Sequence, residues 1–265
     1  MIAGLPEDVA HHVAKAEARL PVLSILPVFV PPASRPVALA WIALLGELRE
    51  ALFERSDPRV TGLKCAWWAE ELQGMGRGAA RHPLGRLLAS TRVPWAEAAD
   101  PLLALAVDDT PPADTAAAST ALRPLATPLA AIDATLLGRP SIDPALVETL
   151  VRHWQSQRLW VGRADADGAR IPMTFWARHG RRRTDAAEAT EVHRDWATHL
   201  RGDRPGPMSP ASLLRRVLDH SDHVVLSALA VGAEPRFPRW RGPFDAWRCA
   251  RDAALHYRLP PPLRT

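Results

Sequence analysis

The chain has 265 residues, 47% hydrophobic and 23% charged, with a net charge of +4. That is an ordinary balance for a globular protein and enough chain to bury a substantial core in one large domain or two small ones. Two cysteines outside any CxxC pair point to neither a zinc site nor a disulfide framework. No apolar run reaches the roughly 18 residues needed to span a bilayer. The first residues lack a basic stretch followed by an apolar run and a cleavage site, so a cytoplasmic location is expected.

The charge is uneven. Residues 1–150 carry 13 basic and 17 acidic side chains, and residues 151–265 carry 20 basic and 12 acidic. The basic half suits a diphosphate, an acidic partner or an anionic membrane surface, or is simply a solvated arginine-rich face. Arg181-Arg182-Arg183 is the dense cluster, and no nucleic-acid-binding motif accompanies it, so a nucleic-acid partner is not expected.

In chain order, the pattern is helical and punctuated by proline. Residues 36–54 read as a long buried helix, because Val37 to Leu45 is almost wholly apolar. Asp57-Pro58 opens the next helix as N-cap and first helical residue. Val60, Leu63, Trp67 and Leu72 recur along it at helical spacing, with Cys65 and Trp68 widening the stripe. Trp67 is therefore expected in the core. Trp68, about 100° further round, lines a cavity or a second helix contact. Gly74, Gly76 and Gly78 stop this helix.

Asp108, Asp109, Pro111, Pro112 and Asp114 make 107–118 the best place for a flexible break within an otherwise single domain. Residues 119–137 are alanine- and leucine-rich and end at Gly138. Asp143-Pro144 starts a helix with Leu146, Leu150 and Trp154 spaced by four. Residues 184–201 read as a polar, exposed helix. Ser209-Pro210 starts another, carrying Leu213, Leu214, Val217, Val224, Val225 and Leu229, and a last one follows Gly242-Pro243 through Trp247 and Cys249. Alternating runs of strand type are absent, so the expected class is all-α, a single helical bundle.

Some constellations look chemical and are better read as structure. His220 and His223 are three apart and could hold a metal, but they adjoin the apolar pair Val224-Val225 on what reads as a polar helix face. His193 and His199, six apart, do not share a face. Gly74-Met75-Gly76-Arg77-Gly78 follows a helix rather than a strand, which excludes a dinucleotide loop. No nucleophile–base motif is recognisable.

Two stretches carry a family resemblance. Leu26 to Pro36, the apolar helix after it, Leu63-Lys64-Cys65-Ala66-Trp67-Trp68-Ala69-Glu70-Glu71-Leu72 and then His82-Pro83 resemble the N-terminal half of the squalene/phytoene synthase family. Ala169-Arg170-Ile171-Pro172 and His179-Gly180 resemble a later segment of the same family. The resemblance implies the isoprenoid-synthase fold, with helices around a central cavity that takes a prenyl chain. Enzymes of the family hold Mg²⁺ on two D-x-x-x-D motifs of facing helices, because residues four apart share a face and aim both carboxylates into one cavity.

This chain departs from that pattern. The first motif aligns with Arg49-Glu50-Ala51-Leu52-Phe53, where Arg49 and Phe53 replace the aspartates and Glu50 and Glu54 form a shifted acidic pair. Near the second, Asp165 and Asp167 are two apart and suit a loop. The departure resembles a subgroup that includes mitochondrial assembly-factor homologues, thought to act without synthase chemistry. Two function classes follow. One is a protein without Mg-dependent prenyl transfer that binds an isoprenoid or other lipid, or a protein partner, with no cofactor. The other is an active head-to-head prenyl diphosphate transferase using Mg²⁺. Arg49, Glu50, Phe53, Glu54, Trp68 and Asp165 are the cavity or ligand-binding candidates; no catalytic or metal residue is assigned. The cavity is expected to persist, and Arg49 could neutralise an anionic head group there.

Overall fold

The computed structural model describes residues 5–24, 27, 30–54, 57–137, 144–162, 169–181, 189–203, 213–236 and 247. Among them it is all helical. The helices are α1 (Glu7–Arg19), α2 (Arg35–Phe53), α3 (Pro58–Gly76), α4 (Pro83–Leu88), α5 (Ala99–Val107), α6 (Thr115–Leu136), α7 (Pro144–Gly162), α8 (Met173–Arg178), α9 (Ala189–Gly202) and α10 (Leu213–Ala230). None of these is long and apolar enough to cross a membrane.

The boundaries follow local chemistry. The Asp57 carboxylate accepts from Arg59 N–H at 2.8 Å, with Pro58 as the first helical residue of α3. Asp114 caps α6 through Ala117 N–H at 2.8 Å. At the end of α3, Gly78 takes φ of 73°, which lets Ala79 N–H return to the Gly74 carbonyl at 2.8 Å.

The core has two connected parts. The larger gathers α1 to α7 around Trp41, Leu44, Leu48, Leu52, Leu72, Trp95 and Trp154. The smaller joins Phe175 and Trp176 of α8 to Val192, Trp196 and Leu200 of α9 and Val225 and Leu226 of α10. Helix α2 is apolar nearly all round because it is buried on most sides, as its composition predicts. On α7 the expected Leu146, Leu150 and Trp154 are all buried. On α10 Val217, Val225 and Leu229 are buried, joined by Leu218 and Leu226, while Val224 is half-buried.

Two expectations need correction. The buried face of α3 is Thr61, Cys65, Trp68, Ala69, Leu72 and Met75, whereas Val60, Leu63 and Trp67 face outward. Trp67 is 38% exposed and Trp68 only 6%, the reverse of the expected order. Helical spacing fits both stripes, and the packing of neighbouring helices selects the one with Cys65 and Trp68. Helix α9 is not polar throughout, since Val192, Trp196, Ala197 and Leu200 form a buried face against α8 and α10. In the segment 107–118, α5 runs to Val107, α6 begins at Thr115, and the residues between them make contacts with the segment at 170–174. Pro112 and Ala113 carbonyls accept from Met173 and Thr174 N–H at 2.8 and 3.1 Å, and Arg170 pairs with Asp108 and Asp109. Gly138, Asp143, Ser209-Pro210, Gly242-Pro243 and Cys249 lie outside the described residues, and Trp247 is exposed.

Candidate functional site

The residues quoted for the family resemblance around α3 form a structural module. Glu71 is fully buried, and its carboxylate accepts from Arg81 N–H at 2.9 Å and His82 N–H at 2.8 Å. It thus fixes the chain just before α4. His82 then caps α4, its Nδ1 accepting from Leu84 N–H at 3.2 Å, and Pro83 takes the first helical position. A Cβ at Gly85 would come within 2.5 Å of Glu71 Oε1, so this close approach requires glycine. Trp68 packs against His82 with ring centroids 4.9 Å apart. It contributes to this module and is not among the residues lining the cleft described next. Burial, together with the neighbouring His12 imidazole 4.4 Å away, holds His82 below the ordinary histidine range.

The cleft lies between α1, α2, α7 and α10. Its walls include Lys15, Arg19, Ile42, Glu47, Arg49, His153, Gln157, Trp160, Arg215 and Leu218. Helices α1 and α2 run parallel along one side and are joined by a ladder of charges. The basic members on α1 are His12, Lys15 and Arg19; the acidic ones are Glu47 and Glu50 of α2 and Glu54, its C-cap. Both sets recur at intervals of three and four, so each lies on one face. His12 meets Glu47 at 3.2 Å, Lys15 meets Glu47 at 2.9 Å and Glu50 at 2.7 Å, and Arg19 meets Glu50 and, at 3.2 Å, Glu54.

Arg49 extends this ladder across the interior. Its guanidinium donates to Glu54 at 3.2 Å and to Gln157 Oε1 of α7 at 3.3 Å. Gln157 donates in turn to Asp222 of α10 at 3.0 Å, and the other Asp222 oxygen lies 2.7 Å from His153 Nδ1. Below, fully buried Arg215 pairs with fully buried Asp133, which also accepts from the Trp41 indole at 2.8 Å. Glu50 is held below its usual value: burial pushes that carboxyl up, but hydrogen bonds from Lys15 and Arg19 outweigh it. Lys15 is raised in the same way, burial being overcome by Glu50 and Glu47. Arg49 is lowered, chiefly by burial, with Glu54 opposing.

The site candidates therefore separate. Arg49 lines the cleft, and Glu50 and Glu54 border it through ion pairs. Phe53 is buried beneath, edge-on to Trp154 at 5.6 Å and covered by the Arg158 guanidinium at 5.2 Å. Asp165 lies outside the described residues. Lys15, Arg19, Gln157 and Asp222 were missed, although the matching three-and-four spacing of opposite charges on two helices was a readable signal.

This donor set does not fit Mg²⁺. The carboxylates of Glu50 and Glu54 already accept from ammonium and guanidinium groups, and the facing wall from α7 presents Gln157 and His153 rather than a second acidic pair. No group of three or more metal-ligating side chains occurs among the described residues. The cleft also encloses only about 50 Å³. That is room for a water or two and well short of the roughly 300 Å³ at which small-molecule pockets begin. The persistent apolar cavity expected from the resemblance is thus absent from this cleft, because Phe53, Trp154, Leu44 and Leu48 pack the interior. No family model matches the chain, and no curated protein matches it.

Proposed function

We propose that the chain is a squalene/phytoene synthase-like protein of the isoprenoid-synthase type that carries out no Mg²⁺-dependent prenyl transfer and acts by binding a lipid or a protein partner. One observation carries it. The acidic face of α2, at the position of the first aspartate motif, is neutralised by Lys15, Arg19 and Arg49 rather than left open toward a cavity. A divalent cation would have to displace the side chains that fasten α1 to α2. The small volume of this cleft argues in the same direction, since about 50 Å³ between α1, α2, α7 and α10 does not admit a prenyl chain.

Titration calorimetry with farnesyl diphosphate, with and without Mg²⁺, together with a product assay, tests this function. The expected result is no C30 or C40 product and no Mg²⁺ dependence of binding. Tight Mg²⁺-dependent binding with product formation would overturn it and restore the transferase alternative.

A further inference from the structure

We propose that the outward face of α3 is a docking surface for an anionic membrane. It stands on this surface alone and is independent of the fate of the cleft. Val60, Leu63 and Trp67 are 41%, 73% and 38% exposed, an unusual concentration of large apolar side chains on one helix face. At about 100° per residue the three fall within an arc of roughly 60°, opposite the face that α3 buries.

The arrangement suits an interface. The three side chains protrude from a helix surface rather than lining a groove. Trp67 is held rigidly, edge-on to Trp68 at 4.9 Å and to His82 at 5.8 Å, with the Arg81 guanidinium 5.7 Å from its ring. A tryptophan with a packed body and a partly wet ring is the side chain favoured at the boundary between acyl chains and head groups.

The rim is cationic. Arg59 and Lys64 flank the stripe on its two sides and are exposed, and exposed Arg77 stands at its C-terminal end, where Arg81 is paired with Glu70 and Glu71. Glu70, the acid on this face, is bonded to Arg81 at 3.3 Å and so presents little free negative charge. An apolar stripe bordered by lysine and arginine complements anionic phospholipid, combining shallow insertion with attraction to the surface charge.

The test is co-sedimentation of the full chain with phosphatidylcholine vesicles made with and without phosphatidylserine. Binding is expected to require phosphatidylserine. Leu63→Asp should weaken it about 10- to 100-fold, the effect of withdrawing one inserted leucine. Lys64→Gln should weaken it about 5-fold, and only on the anionic vesicles. Because Leu63 is mostly in solvent, the variant should keep the wild-type circular dichroism spectrum and melting temperature, so loss of binding will not reflect loss of fold. Absence of phosphatidylserine-dependent binding, or equal binding by Leu63→Asp, would overturn the proposal. So would a wild-type dimer in light scattering that Leu63→Asp converts to monomer, which would assign the stripe to a second copy of the chain.

Discussion

Trp67 and Trp68 are neighbours in sequence with opposite fates, and replacing each by alanine separates the two faces of α3. Trp68 is 6% exposed and packs into the core side of the helix against His82. Emptying a buried site of that size costs about 3–5 kcal/mol. Trp67 is 38% exposed. Its loss removes a cation–π contact with Arg81 at about 0.5–1 kcal/mol and edge-on ring contacts at about 0.5–1.5 kcal/mol, or about 1–2.5 kcal/mol together. For a chain of this length the urea slope should lie near about 3 kcal/mol per molar. Trp68→Ala should therefore lower the midpoint by about 1–1.7 M and Trp67→Ala by about 0.3–0.8 M. Urea titration followed by far-UV circular dichroism measures both. A Trp67→Ala shift equal to or larger than that of Trp68→Ala would show that the buried face of α3 has been assigned to the wrong side.

The Asp133–Arg215 pair should behave as a buried ion pair: Asp133→Ala strands a guanidinium with fully buried surroundings and the Trp41 indole, and should cost about 3–5 kcal/mol in the same titration. The double change Asp133→Leu with Arg215→Met should recover most of that loss, and a single-variant cost below about 1 kcal/mol would contradict the pairing. Stability should also depend on pH through the α1–α2 ladder. Glu50 is held below its ordinary value of 4.5, so its contribution is present above that pH and lost as pH falls through the folded value. Lys15 is held above 10.5, so its contribution is present below that pH and lost as pH rises through the folded value. His82 lies below 6.5, so the unfolded chain takes up its proton first and stability begins to fall as pH drops below about 6.5. The stability gap between wild type and Glu50→Gln should accordingly close as pH falls from neutral through the acid range, and a gap that stays constant would refute the role given to Glu50.

Helix content and several boundaries were legible because they depend on local chemistry: Asp57-Pro58 caps α3, and the apolar run Val37–Leu45 lies in a buried helix. Which side of α3 faces inward was not legible. Thr61, Cys65 and Trp68 form a weaker apolar stripe than Val60, Leu63 and Trp67, and only the packing of neighbouring helices decides between them. The exposed reading of 184–201 failed for a related reason. Four buried side chains spaced along α9 suffice to dock it, and charged residues dominate the rest of its surface. At the cleft, the sequence offers Arg49, Glu50 and Glu54 as near neighbours along the chain, yet their partners come from positions 15 and 19, about thirty residues away, and from α7 and α10. Loop and helix geometry brings these together; the spacing within α2 alone does not name them.

The ladder also explains why α1 belongs to the domain. Helix α1 buries only Val9 and Val13 completely among its own side chains, a small apolar anchor for thirteen residues. Its other attachment is electrostatic: two full positive charges, Lys15 and Arg19, set between three negative ones on α2, with Arg49 as the third cation. Three carboxylates on one helix face repel each other in isolation, and something positive must sit among them. In a metal-dependent enzyme divalent ions take that place and leave when product leaves. Here the cations are covalently part of α1 and of α2 itself, so neutralising the acids and closing the cleft are the same event. Binding Mg²⁺ at Glu50 and Glu54 would release Arg19 and loosen α1, which couples any gain in metal affinity to a loss of packing. That coupling supports a protein whose acidic face serves cohesion, and whose contacts with other molecules are made at its surface.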